Sequence, residues 1–301
     1  MSNELATIDT NNFAAMAAIM GLAKEESSAK RSTLPRLRMI HSGIMGEAEV
    51  KGKKMKMEVI PGGAYKLEIP DGNTYYATNV ILRTFMQRFM YKRFIKGDIN
   101  SSNRFVKTVM STTLSNDLKD NEGGFNCGKP SGWIKDFKAL PAATQDLIKQ
   151  IKRTRVIFSE VTLVDPTDEK GVPVDVDSMS AIWEVDNRTA YKTMGDLFGT
   201  MAKKQCLPVQ YGINMSASEV PLPNGNSYYV PEVDVDMDAV IEVKEVDQET
   251  FGSFREWTES YNDYILKTWS EKNSDAMSHA DTALADDMSN VFEQEEEGVP
   301  F

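Results

Sequence analysis

Tyr75–Lys107 reads YYATNVILRTFMQRFMYKRFIKGDINSSNRFVK, and the conformation of its centre decides the architecture. Ile81, Phe85 and Phe89 recur at helical spacing. At period two, Ile81, Phe85, Phe89, Tyr91 and Ile95 share one face, and Leu82, Met86 and Met90 the other. A window this short does not separate the two periods by itself. The neighbours favour a long bent strand, because residues 80–96 continue a meander and precede another strand pattern, Arg104 to Ser111.

Upstream, Lys54-Met55-Lys56-Met57-Glu58-Val59 alternates polar and apolar, and Pro61-Gly62-Gly63 breaks it. Tyr65, Leu67 and Ile69 alternate with Lys66 and Glu68. Asp71-Gly72-Asn73 is a turn, followed by Thr74-Tyr75-Tyr76. Antiparallel hairpins follow from this punctuation. Downstream come a Gly-rich loop (116–130), a helix (140–152) opened by Pro141 and an apolar strand (155–164). Strands, then a helix, then a closing strand is the order of an OB-type antiparallel β-barrel. The expected fold is therefore mainly β with α additions, an OB-type barrel with inserts over residues 31–272. Residues 1–30 form an arm with a helix from Phe13 to about Lys24, and residues 273–301 a disordered acidic tail.

The same stretch interleaves two chemistries. Arg83, Arg88, Lys92, Arg93, Lys96, Arg104 and Lys107 alternate with Tyr75, Tyr76, Phe85, Phe89, Tyr91, Phe94 and Phe105. Cations for phosphates and flat rings for bases are what a single-stranded nucleic-acid track requires. Aromatics that fill a core beneath a solvated cationic face give the same pattern. The charge layout separates the two readings. The net charge is −11, but residues 31–160 carry 23 Lys and Arg against 12 Asp and Glu, while residues 161–301 carry 9 against 29. A basic half beside an acidic half suits a nucleic-acid surface with an acidic competitor. The groove candidates are Lys53, Lys54, Tyr75, Arg83, Arg88, Tyr91, Arg93, Arg104, Lys107, Lys129 and Trp133, with Tyr91 the first choice for stacking.

No catalytic constellation is legible, and no cofactor or metal is expected. The histidines are His41 and His279, far apart, and Cys127 and Cys206 form no framework. Asp234, Asp236, Asp238 and Glu245 imitate a calcium loop, but Ala239 stands where the turn needs Gly. Their alternation with Val233, Val235 and Met237 reads as a strand with a solvated acidic face. In the second half, helices are expected over 189–204 and 250–272. The latter carries Phe254, Trp257, Tyr261, Ile265 and Trp269 as a core stripe. No apolar run approaches the length of a membrane span.

Residues 275–301 hold eight acids and no Lys or Arg, and end Glu295-Glu296-Glu297-Gly298-Val299-Pro300-Phe301. This tip resembles that of bacterial single-stranded DNA-binding proteins, with Val299 in place of Ile and Gly298 where an acid is common. The whole plan resembles the single-stranded DNA-binding replication proteins of bacteriophages. The resemblance implies a non-enzymatic coat for single-stranded DNA in replication, recombination and repair, in the host cytoplasm. It also implies recruitment of polymerase, helicase, primase or nuclease through Glu295, Glu296, Glu297, Val299, Pro300 and Phe301, with self-association on DNA. The alternatives are a recombination annealing protein, a Mg²⁺-dependent nuclease using Asp234, Asp236 and Asp238, and a virion structural protein.

Overall fold

The computed structural model describes residues 34–50, 53–70, 72–97, 102–222 and 227–296; side chains are described outside 48–54 and 275–296. The N-terminal arm, including the helix expected from Phe13, lies outside the described residues, as do residues 297–301.

Among the described residues eleven strands run β1 (Arg36–Met39), β2 (Ile44–Val50), β3 (Lys53–Ile60), β4 (Tyr65–Glu68), β5 (Thr74–Ala77), β6 (Asn79–Ile95), β7 (Arg104–Lys107), β8 (Ile151–Val164), β9 (Met179–Val185), β10 (Ile213–Pro221) and β11 (Ser227–Val235). The helices are α1 (Ala142–Gln150), α2 (Arg188–Lys203) and α3 (Glu245–Glu296). The backbone of α3 thus carries on through the segment expected to be a tail. None of the described helices is long and apolar enough to cross a membrane.

The fold is not an OB barrel. Nine strands form one sheet ordered β11-β10-β6-β8-β9-β1-β4-β5, with β7 also on β6, and β2–β3 stand apart as a hairpin. The order has two free ends, β11 and β5, so no barrel closes. The reason is length and two-sided burial. The central pair β6 and β8 runs for 17 and 14 residues, well beyond the usual strand. Apolar side chains cover both faces, whereas a small barrel buries only its interior. On one face α2 packs Ala190, Met194, Phe198 and Met201 onto Leu82, Ile157, Val161 and Trp183. On the other, Phe254 of α3 lies against Phe85, Met90, Val156 and Phe158. The expected aromatic stripe is there: Phe254 is fully buried, and Trp257 stacks on Tyr261 at 5.8 Å. Burying each such ring contributes about 1.5–3 kcal/mol.

The sheet nonetheless curls. The Tyr65 hydroxyl of β4 donates to the Ser216 carbonyl of β10 at 2.9 Å. The Tyr229 ring of β11 lies against Gly62 and Gly63, where a Cβ would approach it to 2.7 and 2.5 Å. Gly63 also has φ +84°, so glycine is needed there twice over. Side chains, not a ladder, link these two regions of the sheet.

Residues 79–95 are a strand, but its two faces exchange partway. Thr84 pairs with Ser159 and Met86 with Phe158, leaving Phe85 as an extra residue. Such a bulge reverses the alternation downstream. Val80 and Leu82 therefore face α2, and beyond the bulge Met86 and Met90 face α3. Phe89, expected to share a face with Phe85, turns to the α2 side and meets Tyr191 at 6.3 Å. Phe85 sits between Phe251 at 5.0 Å and Phe254 at 5.8 Å, which holds the bulge in place.

Candidate nucleic-acid interface

Beyond the bulge β6 presents Lys92 and Phe94 on one face and Tyr91 and Arg93 on the other. Strand β7 answers in register, with Lys92 opposite Lys107, Arg93 opposite Val106 and Phe94 opposite Phe105. Two rings and two ammonium groups thus share one face of a ladder. Phe94 and Phe105 are 46% and 47% exposed, with centroids 5.0 Å apart. Lys92 Nζ lies 5.0 Å and Lys107 Nζ 5.8 Å from the Phe105 ring. Half-exposed paired rings flanked by cations are the surface on which bases stack while phosphates are neutralised.

This face leads into a cleft of about 460 Å³ lined by Arg36, Arg38, His41, Lys92, Lys107 and Glu184, among others. The cleft begins where β1 and β9, parallel neighbours at Arg36–Ile182 and Leu37–Trp183, end their pairing. Lys92 bonds Glu184 at 2.8 Å, and Arg36 reaches it at 3.5 Å. Burial disfavours the Glu184 carboxylate, yet Lys92, Lys107 and Arg36 outweigh burial and hold its pKa below the usual range. Burial, with Lys92 nearby, lowers the pKa of Lys107. Arg38 is bridged to Glu68 at 3.2 Å, and Lys152 to Asp186 at 3.1 Å.

The other face of the ladder's end gathers Arg93, Lys129 and Arg153, and among the described residues none of the three is in an ion pair. Lys129 Nζ lies 5.8 Å from the Tyr91 ring and donates to the carbonyls of Pro130 and Gly132. Burial first, then Arg153, depresses the Lys129 pKa. Trp133, next along this loop, is 86% exposed. The preceding Gly-rich loop is pinned by Asp120, whose carboxylate accepts from the backbone N–H of Glu122, Gly124 and Cys127.

The sequence-derived groove is therefore redistributed. Lys107 lies on the Phe94–Phe105 face, and Arg104 beside it is bridged to Glu122 at 3.2 Å. Arg93, Lys129 and Trp133 belong to the opposite side. Tyr91 is 4% exposed and packs with Val106, Leu118 and Cys127, so it fills a core instead of meeting a base. Arg83 is a clamp: it donates to both Asp247 oxygens, at 2.7 and 2.8 Å, and to the Val209 carbonyl. Arg88 is partly buried, donates to the Gln87 carbonyl, and has its pKa lowered by that burial. Tyr75 packs partly against the α2-side core, and its hydroxyl accepts from Asn73. The side chains of Lys53 and Lys54, and of Glu295 and Glu296, lie outside the described ones, as do Glu297, Val299, Pro300 and Phe301 altogether.

Sequence reasoning missed Arg36, Arg38, Lys92, Phe94 and Phe105 as site members. One signal was present: Lys92-x-Phe94 and Phe105-x-Lys107 mirror each other about an expected turn. An antiparallel pair brings such mirrored residues opposite one another. The acids Glu232, Asp234, Asp236 and Asp238 stand exposed on and just beyond β11, as the alternation implied. Among the described residues no three His, Cys, Asp or Glu side chains gather as metal ligands.

Compared with protein-family models, with curated proteins and with solved structures, the chain matches none.

Proposed function

We propose that this protein binds and coats single-stranded DNA without regard to sequence. The observation that supports this reading is the Phe94–Phe105 pair, two half-exposed rings flanked by Lys92 and Lys107 and continuous with the Arg36–Arg38 cleft. Two apolar rings kept at a surface among cations cost burial without an internal gain, which a stacking role accounts for. The phosphates would follow the cations while bases lie on the rings. Arg36, Lys92 and Lys107 outnumber Glu184, so the face retains positive charge.

The acidic C-terminal segment completes the proposal. Its eight acids over 275–301 compete for the cationic face, and the Phe301 tip recruits replication proteins when DNA displaces it. In a phage setting this takes place in the host cytoplasm.

The deciding measurement is fluorescence anisotropy of single-stranded against duplex DNA of equal length across a salt series. With about five phosphates neutralised, log affinity should fall against log salt with a slope of about −3.5. A flat salt response, or equal affinity for duplex, contradicts the reading.

A further inference from the structure

We propose that each protomer holds a second single-stranded segment on the opposite face of the β6–β8 ladder, at Arg93, Lys129, Trp133 and Arg153, and so bridges two strands. The inference rests on the single-strand reading of the Phe94–Phe105 face but concerns a separate surface.

Strand alternation creates the two faces. Lys92 and Lys152 are register partners on one side; Arg93 and Arg153, each one residue further, point to the other. The second side has the two ingredients of the first. Its aromatic is Trp133, the most exposed large apolar side chain described, at 86%. An indole left this bare on a loop has no packing role to explain it. Gly132 before it has φ +74° and open space where a Cβ would stand, and its carbonyl accepts from Lys129 Nζ at 3.2 Å, which keeps the ring beside that cation.

Its cations are held together against their own repulsion. Lys129 Nζ lies 5.8 Å from the ring of Tyr91, the register partner of Arg153; burial first and then Arg153 lower the Lys129 pKa, and Asp117 is the acid that opposes this. Asp117 already accepts hydrogen bonds from Asn126 and Ser131. Arg93 Nε is buried with no hydrogen-bond partner. Like charges gathered beside an exposed ring, with no ion pair among them, are matched by a polyanion carrying bases. By contrast, the first face spends part of its charge on Glu184 and Asp186. The sheet lies between the two surfaces, so a short strand cannot touch both at once.

The test uses full-length protein and an oligothymidylate of about five nucleotides, near the lower limit of a single-fold footprint. Native mass spectrometry counts oligonucleotides per protomer. Energy transfer between donor-labelled and acceptor-labelled oligothymidylates of about 15 nucleotides reports bridging. Two short oligonucleotides per protomer are expected. One should be lost in the Trp133→Ala/Arg153→Ala variant and the other in the Phe94→Ala/Phe105→Ala variant, each site weakening about ten-fold or more. Energy transfer should vanish in either variant. Unchanged melting temperatures verify that each variant is folded.

One oligonucleotide per protomer, untouched by the Trp133→Ala/Arg153→Ala change, overturns the second face and leaves the first standing. A single long strand weakened by both variants, with no energy transfer, overturns bridging in favour of one strand passing round the ladder's end. Energy transfer that survives the Trp133→Ala/Arg153→Ala change overturns it too, by placing both strands on the first face of associated copies. No binding of any oligonucleotide removes the single-strand reading itself.

Discussion

The Arg83 guanidinium grips both carboxylate oxygens of Asp247, at 2.7 and 2.8 Å, across 164 residues of chain. Their side chains are 15% and 5% exposed. Asp247 Oδ2 also accepts from the Lys244 N–H at 2.7 Å, so the same carboxylate caps the first turn of α3. A cation of the basic half and an acid of the acidic half thus join β6 to α3. Part of the charge polarity of the sequence is used inside the fold.

Asp247→Asn should therefore destabilise the protein by about 2 kcal/mol, because it removes the bidentate partner of Arg83 and leaves the guanidinium only Glu160, at 3.8 Å, as a counter-charge. Denaturant unfolding measures this. DNA affinity of the folded variant should not change. A selective affinity loss at full stability would return Arg83 to the groove.

Acid should weaken the same fold. The hydrogen bond from Arg83 depresses the Asp247 pKa, a hydrogen bond from Lys66 depresses that of Glu68, and Glu184 is held down by three cations against its burial. A carboxylate with a lowered folded pKa adds stability that is complete above the unfolded value and is lost as pH falls through the folded one. Melting temperature should therefore decline below about pH 4. It should decline less steeply in Asp247→Asn, and an identical slope in both proteins contradicts the linkage.

Glu184 competes with phosphate for Arg36, Lys92 and Lys107. Glu184→Gln should tighten single-stranded DNA binding by about five-fold at low salt, the effect of one nearby unit charge in water. It should also steepen the salt dependence and lower the melting temperature. Affinity that falls, or stays put, would show that these cations do not meet DNA.

The aromatics divide by burial. Phe94→Ala and Phe105→Ala should each weaken binding by about 1–3 kcal/mol and leave stability nearly unchanged. Tyr91→Ala should do the reverse, costing about 3 kcal/mol of stability. Paired melting and titration curves distinguish them. A stability loss at Phe94 matching that at Tyr91 would make the exposed pair a core feature.

Removing residues 275–301 should tighten DNA binding, most at low salt, since eight acids cease to compete. Phe301→Ala keeps those acids and should leave affinity alone while abolishing capture of purified replication proteins. Equal capture by both proteins refutes recruitment and leaves the competition untouched.

Much of the chain was legible by period. The hairpins around Asp71-Gly72-Asn73, the aromatic stripe from Phe254 to Trp269 and the acidic face of β11 follow from patterns of two or 3.6 residues. Such patterns are local consequences of backbone geometry and one-sided burial. The interleaved cations and rings from Tyr75 to Lys107 include Lys92, Phe94, Phe105 and Lys107, which the structure brings onto one face, and Tyr91, which it buries.

What only the tertiary structure decided is which of those residues face together. The bulge at Phe85 is one extra residue, and it reverses the face of every side chain from Met86 to Ile95. It is held by the rings of Phe251 and Phe254, about 170 residues further along the chain. The pairings of Arg83 with Asp247 and of Lys92 with Glu184 likewise join distant segments. The sequence favoured the strand through its neighbours, because the hairpin pattern before residue 80 and the strand pattern after 104 continue through a window whose own period is ambiguous. It did not determine the inward and outward sets beyond Phe85, because a one-residue shift at a bulge is stabilised by contacts with no local signature.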